Sequence, residues 1–311
     1  MNIDEAVLAV DQMMLDVVHS EVTVLEEASR HIISAGGKRV RPRVLFNAYL
    51  AAGGKDLKAA IPVATAIELV HTATLVHDDI NDHGVVRRGR VTINEKWGRT
   101  FALLTGDFLF TKVYELMAPY GDLNITFSEA TTALVEGETL QAAAAKDNTL
   151  TREIYQKIVA KKTASLFRGA AMLGAQLAGA DRRTIDTLGE YGFYLGLIFQ
   201  IIDDLLDLTG DPRLMGKAAG VDIPQGKGVA AAIARKSANG KRDEALGVVT
   251  VEDDPFLPLK ERLVAGGAVE EGRQMAQALA VQAHATLDRL PQSEAVDALR
   301  TLITQVMERD H

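Results

Sequence analysis

Asp78-Asp79-Ile80-Asn81-Asp82 and Asp203-Asp204-Leu205-Leu206-Asp207 share the spacing Asp-Asp-x-x-Asp in widely separated parts of the chain. Residues three or four apart share a helix face, so in each cluster the first or second carboxylate lies on the same side as the third. Carboxylates massed in this way repel one another unless cations neutralise them. An all-oxygen ligand set suits a hard ion such as Mg²⁺, which fills its shell with water and phosphate oxygens. Two such clusters facing each other would clamp a polyphosphate. A solvated acidic face is the plainer explanation for either cluster alone. The flanks weigh against it: Val76 and Ile80 surround the first cluster, and Phe199, Ile201, Ile202, Leu205, Leu206 and Leu208 surround the second. Acids seldom sit on helices this apolar unless paired or metal-bound.

A polyphosphate also needs side-chain cations, and the chain groups them. Gly36-Gly37-Lys38-Arg39-Val40-Arg41-Pro42 sets three positive charges beside a glycine pair, and Arg87-Arg88-Gly89 follows the first acidic cluster within a short loop. Arginine's planar fork suits bidentate phosphate contacts, while lysine acts as a flexible point charge. Lys161-Lys162-Thr163 precedes apolar Leu166-Phe167 on a predicted helix, where a lysine needs an anionic partner. Gly216-Lys217-Ala218-Ala219-Gly220 leads into Gly226-Lys227-Gly228, a loop able to close over an anion. It is not a P-loop, because Gly228 stands where Ser or Thr should bind magnesium.

The elements that must position these groups are helical. The long stretches between Pro62, Pro119 and Pro212 leave room for helices over 64–82, 101–117, 127–145, 152–178 and 184–208, rich in Ala, Leu, Glu and Gln with apolar residues recurring at three and four. Shorter helices are expected near 229–239, 258–265, 269–290 and 295–309. No linker or composition shift divides the chain, so residues 1–311 read as one all-α domain, a bundle with the motif-bearing helices in its central layer.

Composition narrows the chemistry. At 47% hydrophobic and 24% charged residues the chain is an ordinary globular one. A net charge of −8 argues against a nucleic-acid surface. The absence of cysteine removes disulfides, thiolate metal sites and thiol nucleophiles. Met1-Asn2-Ile3-Asp4-Glu5 lacks the basic start of a signal peptide, and uncharged segments such as 169–180 and 191–202 are too short to span a bilayer. A cytoplasmic protein with at most peripheral membrane contact is expected. Glu68 and His71 form half of a di-iron pattern without a second half, and His77-Asp78 suggests a helical phosphohydrolase that would need further ligand histidines. Glu252-Asp253-Asp254 runs into Pro255 and reads as a surface loop.

Taken in order, GGKRVRP at 36–42, ELVHTATLVHDDIND at 68–82, RRG at 87–89, GD at 106–107, KT at 162–163, FQIIDDLLD at 199–207 and GKAAGVDIPQGK at 216–227 resemble the all-trans polyprenyl diphosphate synthases, the head-to-tail isoprenyl transferases. The resemblance implies an isoprenoid-synthase-type helical bundle around a deep central cavity, and a homodimer. It implies that Asp78, Asp79, Asp82, Asp203, Asp204 and Asp207 hold Mg²⁺, about three ions with substrate bound. By the same resemblance Arg87, Lys162, Thr163, Gln200, Lys217 and Lys227 contact an allylic diphosphate, and Lys38, Arg41, His71 and Arg88 hold isopentenyl diphosphate. Asp78, Asp79, Asp82, Lys162, Asp203 and Asp204 would be the catalytic set.

In such a family Ala73 and Thr74, just before the first cluster, face the growing tail. Their small size favours a product beyond farnesyl, roughly six or more isoprene units ahead of geranylgeranyl, with the floor further down a helix that rises ~1.5 Å per residue. Val229 stands where the family often has Thr, and Glu308-Arg309-Asp310-His311 lacks a basic ending, so no role is expected for the C-terminus. The rivals are a class I terpene cyclase, whose second motif would mix Asn, Ser or Thr with Glu, and a regulatory subunit, which would have lost ligands.

Overall fold

The computed structural model describes residues 1–147, 149–209 and 267–309. Within them the chain runs through α1 (Ile3–Val17), α2 (Thr23–Ile33), α3 (Val40–Ala51) and α4 (Ile61–Asn81). A hairpin of β1 (Val86–Arg87) and β2 (Arg90–Val91) leads to α5 (Ile93–Trp97), α6 (Arg99–Met117), α7 (Leu123–Lys146) and α8 (Arg152–Val159). A π-helical turn, Ala160–Ala164, joins α8 to α9 (Ser165–Leu177), followed by α10 (Arg182–Thr209), α11 (Ala268–Leu287) and α12 (Glu294–Met307). The all-α expectation holds, and every helix expected between 64 and 208 forms. The helices expected near 229–239 and 258–265, and the acidic loop at 252–254, lie outside the described residues.

Local signals explain the ends. Asn2 caps α1 with a reciprocal capping box, its side chain accepting from the Glu5 amide while the Glu5 carboxylate accepts from its own. Pro62 starts α4 where a missing N–H costs nothing. The stretch 152–178, expected as one helix, is interrupted by the π turn, a form found disproportionately at functional sites.

Two layers position the acidic clusters. α4 packs on α6, α1 and α3, and α10 packs on α9, α11 and the π turn. Both are buried enough to be central helices, with Ile67, Leu69, Val70 and Ala73 of α4 and Leu188, Leu195 and Ile198 of α10 fully enclosed. Leu57–Asn81 is long and apolar enough to cross a membrane by composition, longer than any segment the sequence suggested. Its apolar surface is spent on the bundle core: 72% of the span's apolar window is buried.

Candidate active site

Helical period decides which acids of the first cluster share a wall. His71, Thr74, Asp78 and Asp82, at spacings of three and four along α4, line one cavity of about 220 Å³. Asp79, one position round, turns instead to the hairpin. There the Arg87 Nε donates to its carboxylate at 2.7 Å, while Asp79 is only 3% exposed. The hairpin turn holds Arg88 and Gly89 both at positive φ, 51° and 71°, the pattern of a tight type I′ connection. That turn sends Arg88 back over the glycine pair, where it donates to the Gly36 carbonyl; a Cβ on Gly37 would sit 2.8 Å from its guanidinium.

From α10, Gln200, Asp203 and Asp204 reach the same cavity. Asp207 is buried and does not line it, so the second cluster contributes adjacent acids where the spacing had suggested a pair one turn apart. Asp204 is held from two helices: Tyr155 of α8 donates its hydroxyl at 2.6 Å and the Gln200 amide donates at 2.8 Å. The Thr163 hydroxyl donates to the Gln200 carbonyl at 2.7 Å, extending this chain to the π turn.

Lys162, also on the π turn, points its ammonium between Glu138 at 2.9 Å, Gln141 at 2.7 Å and Asp78 at 3.3 Å. Neither Glu138 nor Gln141 stood out in the sequence. Their signal was Gly137 beside them: a Cβ there would lie 2.3 Å from the Lys162 nitrogen, so only glycine lets α7 approach this closely.

The cationic wall lies opposite in character. Arg41 lines the cavity, stacks 4.7 Å over Phe167, and keeps its buried Nε without a hydrogen-bond partner among the described residues. Burial pushes its pKa down to about 10. Burial also lowers Arg88 and Lys38, the latter with help from Arg309, and holds His71 neutral, with Arg41 and Arg88 reinforcing the effect. Lys38 and Arg88 stand off the cavity lining, and Ala73 is fully enclosed while Thr74 reaches the wall. Lys217 and Lys227 lie outside the described residues. Arg309, in the C-terminal segment for which no role is expected, stacks 4.5 Å over Phe199 and approaches Asp203 at 3.4 Å.

The alternative metal patterns fail on contacts. Glu68 is buried and accepts from Arg39 at 2.9 Å, and His77 leans on α6, 3.3 Å from the Leu103 carbonyl, outside the cavity.

Two carboxylates at the site hold their protons more firmly than usual. Burial lifts Asp79 above the usual carboxylate range despite Arg87, and burial together with Asp78 lifts Glu138 to about 7. Among the described residues no three carboxylates or imidazoles converge tightly enough to enclose an ion unaided. Asp78, Asp82, Asp203 and Asp204 are the carboxylates of the two clusters that open to this cavity, and a hard cation takes its remaining ligands from water and phosphate oxygens. Arg41 and His71 thus share one cavity with Asp78, Asp82, Asp203 and Asp204. Leu75, Leu134, Leu150, Ile158, Val159 and Phe199 supply the apolar lining.

Residues 22–253 match the family model described as polyprenyl synthetase. The chain is 35% identical over 308 residues to the octaprenyl diphosphate synthase of Escherichia coli (strain K12), covering 97% of this chain and 95% of that one. It is 36% identical over 308 residues to the short chain isoprenyl diphosphate synthase of Methanothermobacter thermautotrophicus, covering 94% and 93%. The crystal structure of polyprenyl synthase from Caulobacter crescentus CB15, complexed with calcium and isoprenyl diphosphate, superposes with a TM-score of 0.90 at 31% identity, over 99% of this chain and 96% of that one.

Proposed function

The chain belongs to the polyprenyl synthetase family, and from that premise we propose the roles of its residues in building an all-trans polyprenyl diphosphate. The enzyme is a prenyltransferase that condenses isopentenyl diphosphate with an allylic diphosphate. One observation carries the assignment of roles: Asp78 and Asp82 of the first cluster, Asp203 and Asp204 of the second, Lys162, Arg41 and His71 line a single cavity, with Leu75, Leu134, Ile158, Val159 and Phe199 as its apolar part.

In this reading Asp78, Asp82, Asp203 and Asp204 hold Mg²⁺ against the allylic diphosphate, with Asp79 and Asp207 supporting from behind. Mg²⁺ bound there supplies Lewis acidity to the leaving diphosphate. Lys162, Thr163 and Gln200 meet the same diphosphate from the π turn and α10, and Arg87 leaves Asp79 to join them. Positive groups placed where the carbon–oxygen bond breaks stabilise charge as it forms. Lys217 and Lys227 complete this set in the proposal. Lys38, Arg41, His71 and Arg88 hold isopentenyl diphosphate, and the place of Arg41 on the cavity wall supports a site for its anionic oxygens. Neutral His71 serves as a hydrogen-bonding group.

Leu134, Ile158, Val159 and Phe199 exclude water while the double bond of isopentenyl diphosphate attacks the allylic carbon. Diphosphate departs, one proton is lost, and the alkene is restored one isoprene unit longer. We assign a product longer than farnesyl, with Thr74 as the small residue that leaves the tail's path open. Identity is similar to octaprenyl and short-chain relatives, so the proposed length is argued from this local wall and not from overall identity. Exposed Phe101, Leu104 and Tyr114 on α6, with Ile125 and Val135 on α7, support pairing with a second copy.

The test incubates the purified protein with Mg²⁺, labelled isopentenyl diphosphate and each allylic primer in turn, and resolves product lengths. Extension beyond C15 is expected, and failure to extend any primer overturns the reading.

A further inference from the structure

The Lys162 ammonium has three N–H donors, and the three acceptors around it are unequal. Gln141 Oε1 and Glu138 Oε2 stand at 2.7 and 2.9 Å, both within good hydrogen-bond range, while Asp78 Oδ2 stands at 3.3 Å. The two short contacts come from one helix face, since residues 138 and 141 lie three apart on α7. The long one goes to the residue whose carboxylate faces the cavity with Asp82. Contact between α7 and the π turn is made by backbone, because Gly137 leaves no side chain between them. Glu138 and Gln141 are therefore carried on a rigid seam. A free lysine side chain samples many rotamers, and immobilising it before substrate arrives removes that cost from the reacting complex.

We propose that Glu138 and Gln141 are positioning residues for Lys162: they occupy two of its N–H donors so that the third, shared weakly with Asp78, remains aimed at the cavity. The proposal rests on the reading of this cavity as the allylic diphosphate site. With Asp78 engaged as a cation ligand, the third donor would be left for the diphosphate while Glu138 and Gln141 keep the lysine in place. Glu138 is then an acceptor for Lys162 rather than a metal ligand, which separates its behaviour from that of Asp78.

The experiment has one arm that needs no turnover. Acetylation of Lys162 by an amine-reactive reagent, read by peptide mass spectrometry on the substrate-free protein at fixed pH, reports how firmly the ammonium is held. Glu138→Ala is expected to speed that labelling about tenfold, because a lysine released from one of its two short hydrogen bonds leaves its place and reaches the reagent more often. Gln141→Ala is expected to speed it less, and Glu138→Gln, which keeps an acceptor of the same reach, least.

The second arm is kinetic. Glu138→Ala is expected to lower kcat about tenfold, with KM for isopentenyl diphosphate and the half-saturating Mg²⁺ within about twofold of wild type, while Glu138→Gln restores most of kcat. Melting temperatures identify a variant that has lost its fold, and Glu138→Gln supplies the comparison in that event. Unchanged Lys162 labelling in both alanine variants overturns the proposal. So does a rise in half-saturating Mg²⁺ matching that of Asp78→Ala, which would make Glu138 a ligand. If the wild type extends no primer, the labelling arm still decides the positioning, and only the diphosphate reading falls.

Discussion

The hydroxyl of Tyr155 lies 2.6 Å from Asp204 Oδ2, so an aspartate of the second cluster is anchored to a helix distant from its own in sequence. Gln200 takes the other carboxylate oxygen at 2.8 Å, fixing the plane of the group. An aspartate restrained at both oxygens presents a defined face to a cation and does not sweep the cavity.

Tyr155→Phe removes that restraint while keeping the ring, which is 4% exposed. Loss of a buried hydrogen bond to a carboxylate is expected to lower unfolding stability by about 1–3 kcal/mol. The half-saturating Mg²⁺ for turnover should rise together with it. Chemical denaturation and an Mg²⁺ titration of activity check the two effects separately, and a stability loss with unchanged Mg²⁺ dependence would reduce Tyr155 to a packing role.

Gly137→Ala asks whether the seam between α7 and the π turn tolerates one methyl. The added Cβ would lie 2.3 Å from the Lys162 nitrogen and 2.7 Å from its Cα, both backbone atoms that cannot rotate aside. Overpacking of this kind costs about 1–3 kcal/mol and separates the helices. Activity should fall by more than the loss of folded protein accounts for, because Glu138 and Gln141 move away from Lys162 with α7. Thermal melting and specific activity of the folded fraction are the measurements.

The residues named from sequence and those found only in the structure differ in a physical way. Asp78, Asp82 and Asp203 carry their chemistry in local spacing, Lys162 stands out as a cation on an apolar segment, and Thr163 and Gln200 were legible only through the family resemblance. Glu138, Gln141 and Tyr155 act through contacts between α7, α8, the π turn and α10, and no local pattern states which helices will touch. The π turn itself was illegible for the same reason, since nothing within Ala160–Ala164 departs from ordinary helix composition. α1, α2 and α3 were also not singled out: α3 starts on Arg39 at φ 48°, with its side chain spent on Asp11 and Glu68. One arginine among mixed charges makes no basic tail, yet the contact of Arg309 with the Phe199 ring depends on position and not on net charge.

His71 gives a pH test of the cationic wall. Burial and the neighbouring Arg41 and Arg88 hold its folded pKa well below 6.5, the value of an unperturbed histidine. Below 6.5 the unfolded chain binds a proton that the folded chain refuses, so the stability this residue permits is complete above that pH and is lost as pH falls through it. Relative to His71→Gln, unfolding stability is expected to fall as pH is lowered from about 7.5 to about 5.5. Urea unfolding of both proteins at each pH checks it; parallel pH profiles would mean that the ring protonates in the folded state.

Thr74 and Ala73 separate product length from stability. Thr74 reaches the cavity wall, its hydroxyl donating at 2.8 Å to the His71 carbonyl, whereas Ala73 has no exposed surface and packs within the bundle. Thr74→Phe should therefore shorten the product, because the ring projects into the space beside Leu75 and Leu134 that a growing tail needs. Ala73→Phe should first cost about 1–3 kcal/mol from overpacking of a closed core, and it can alter length only by displacing α4. Product chromatography and melting temperature, measured on both variants, distinguish the two. Equal shortening by both with no change in melting temperature would mean that the tail runs along Ala73 as well, through space that opens only with substrate bound.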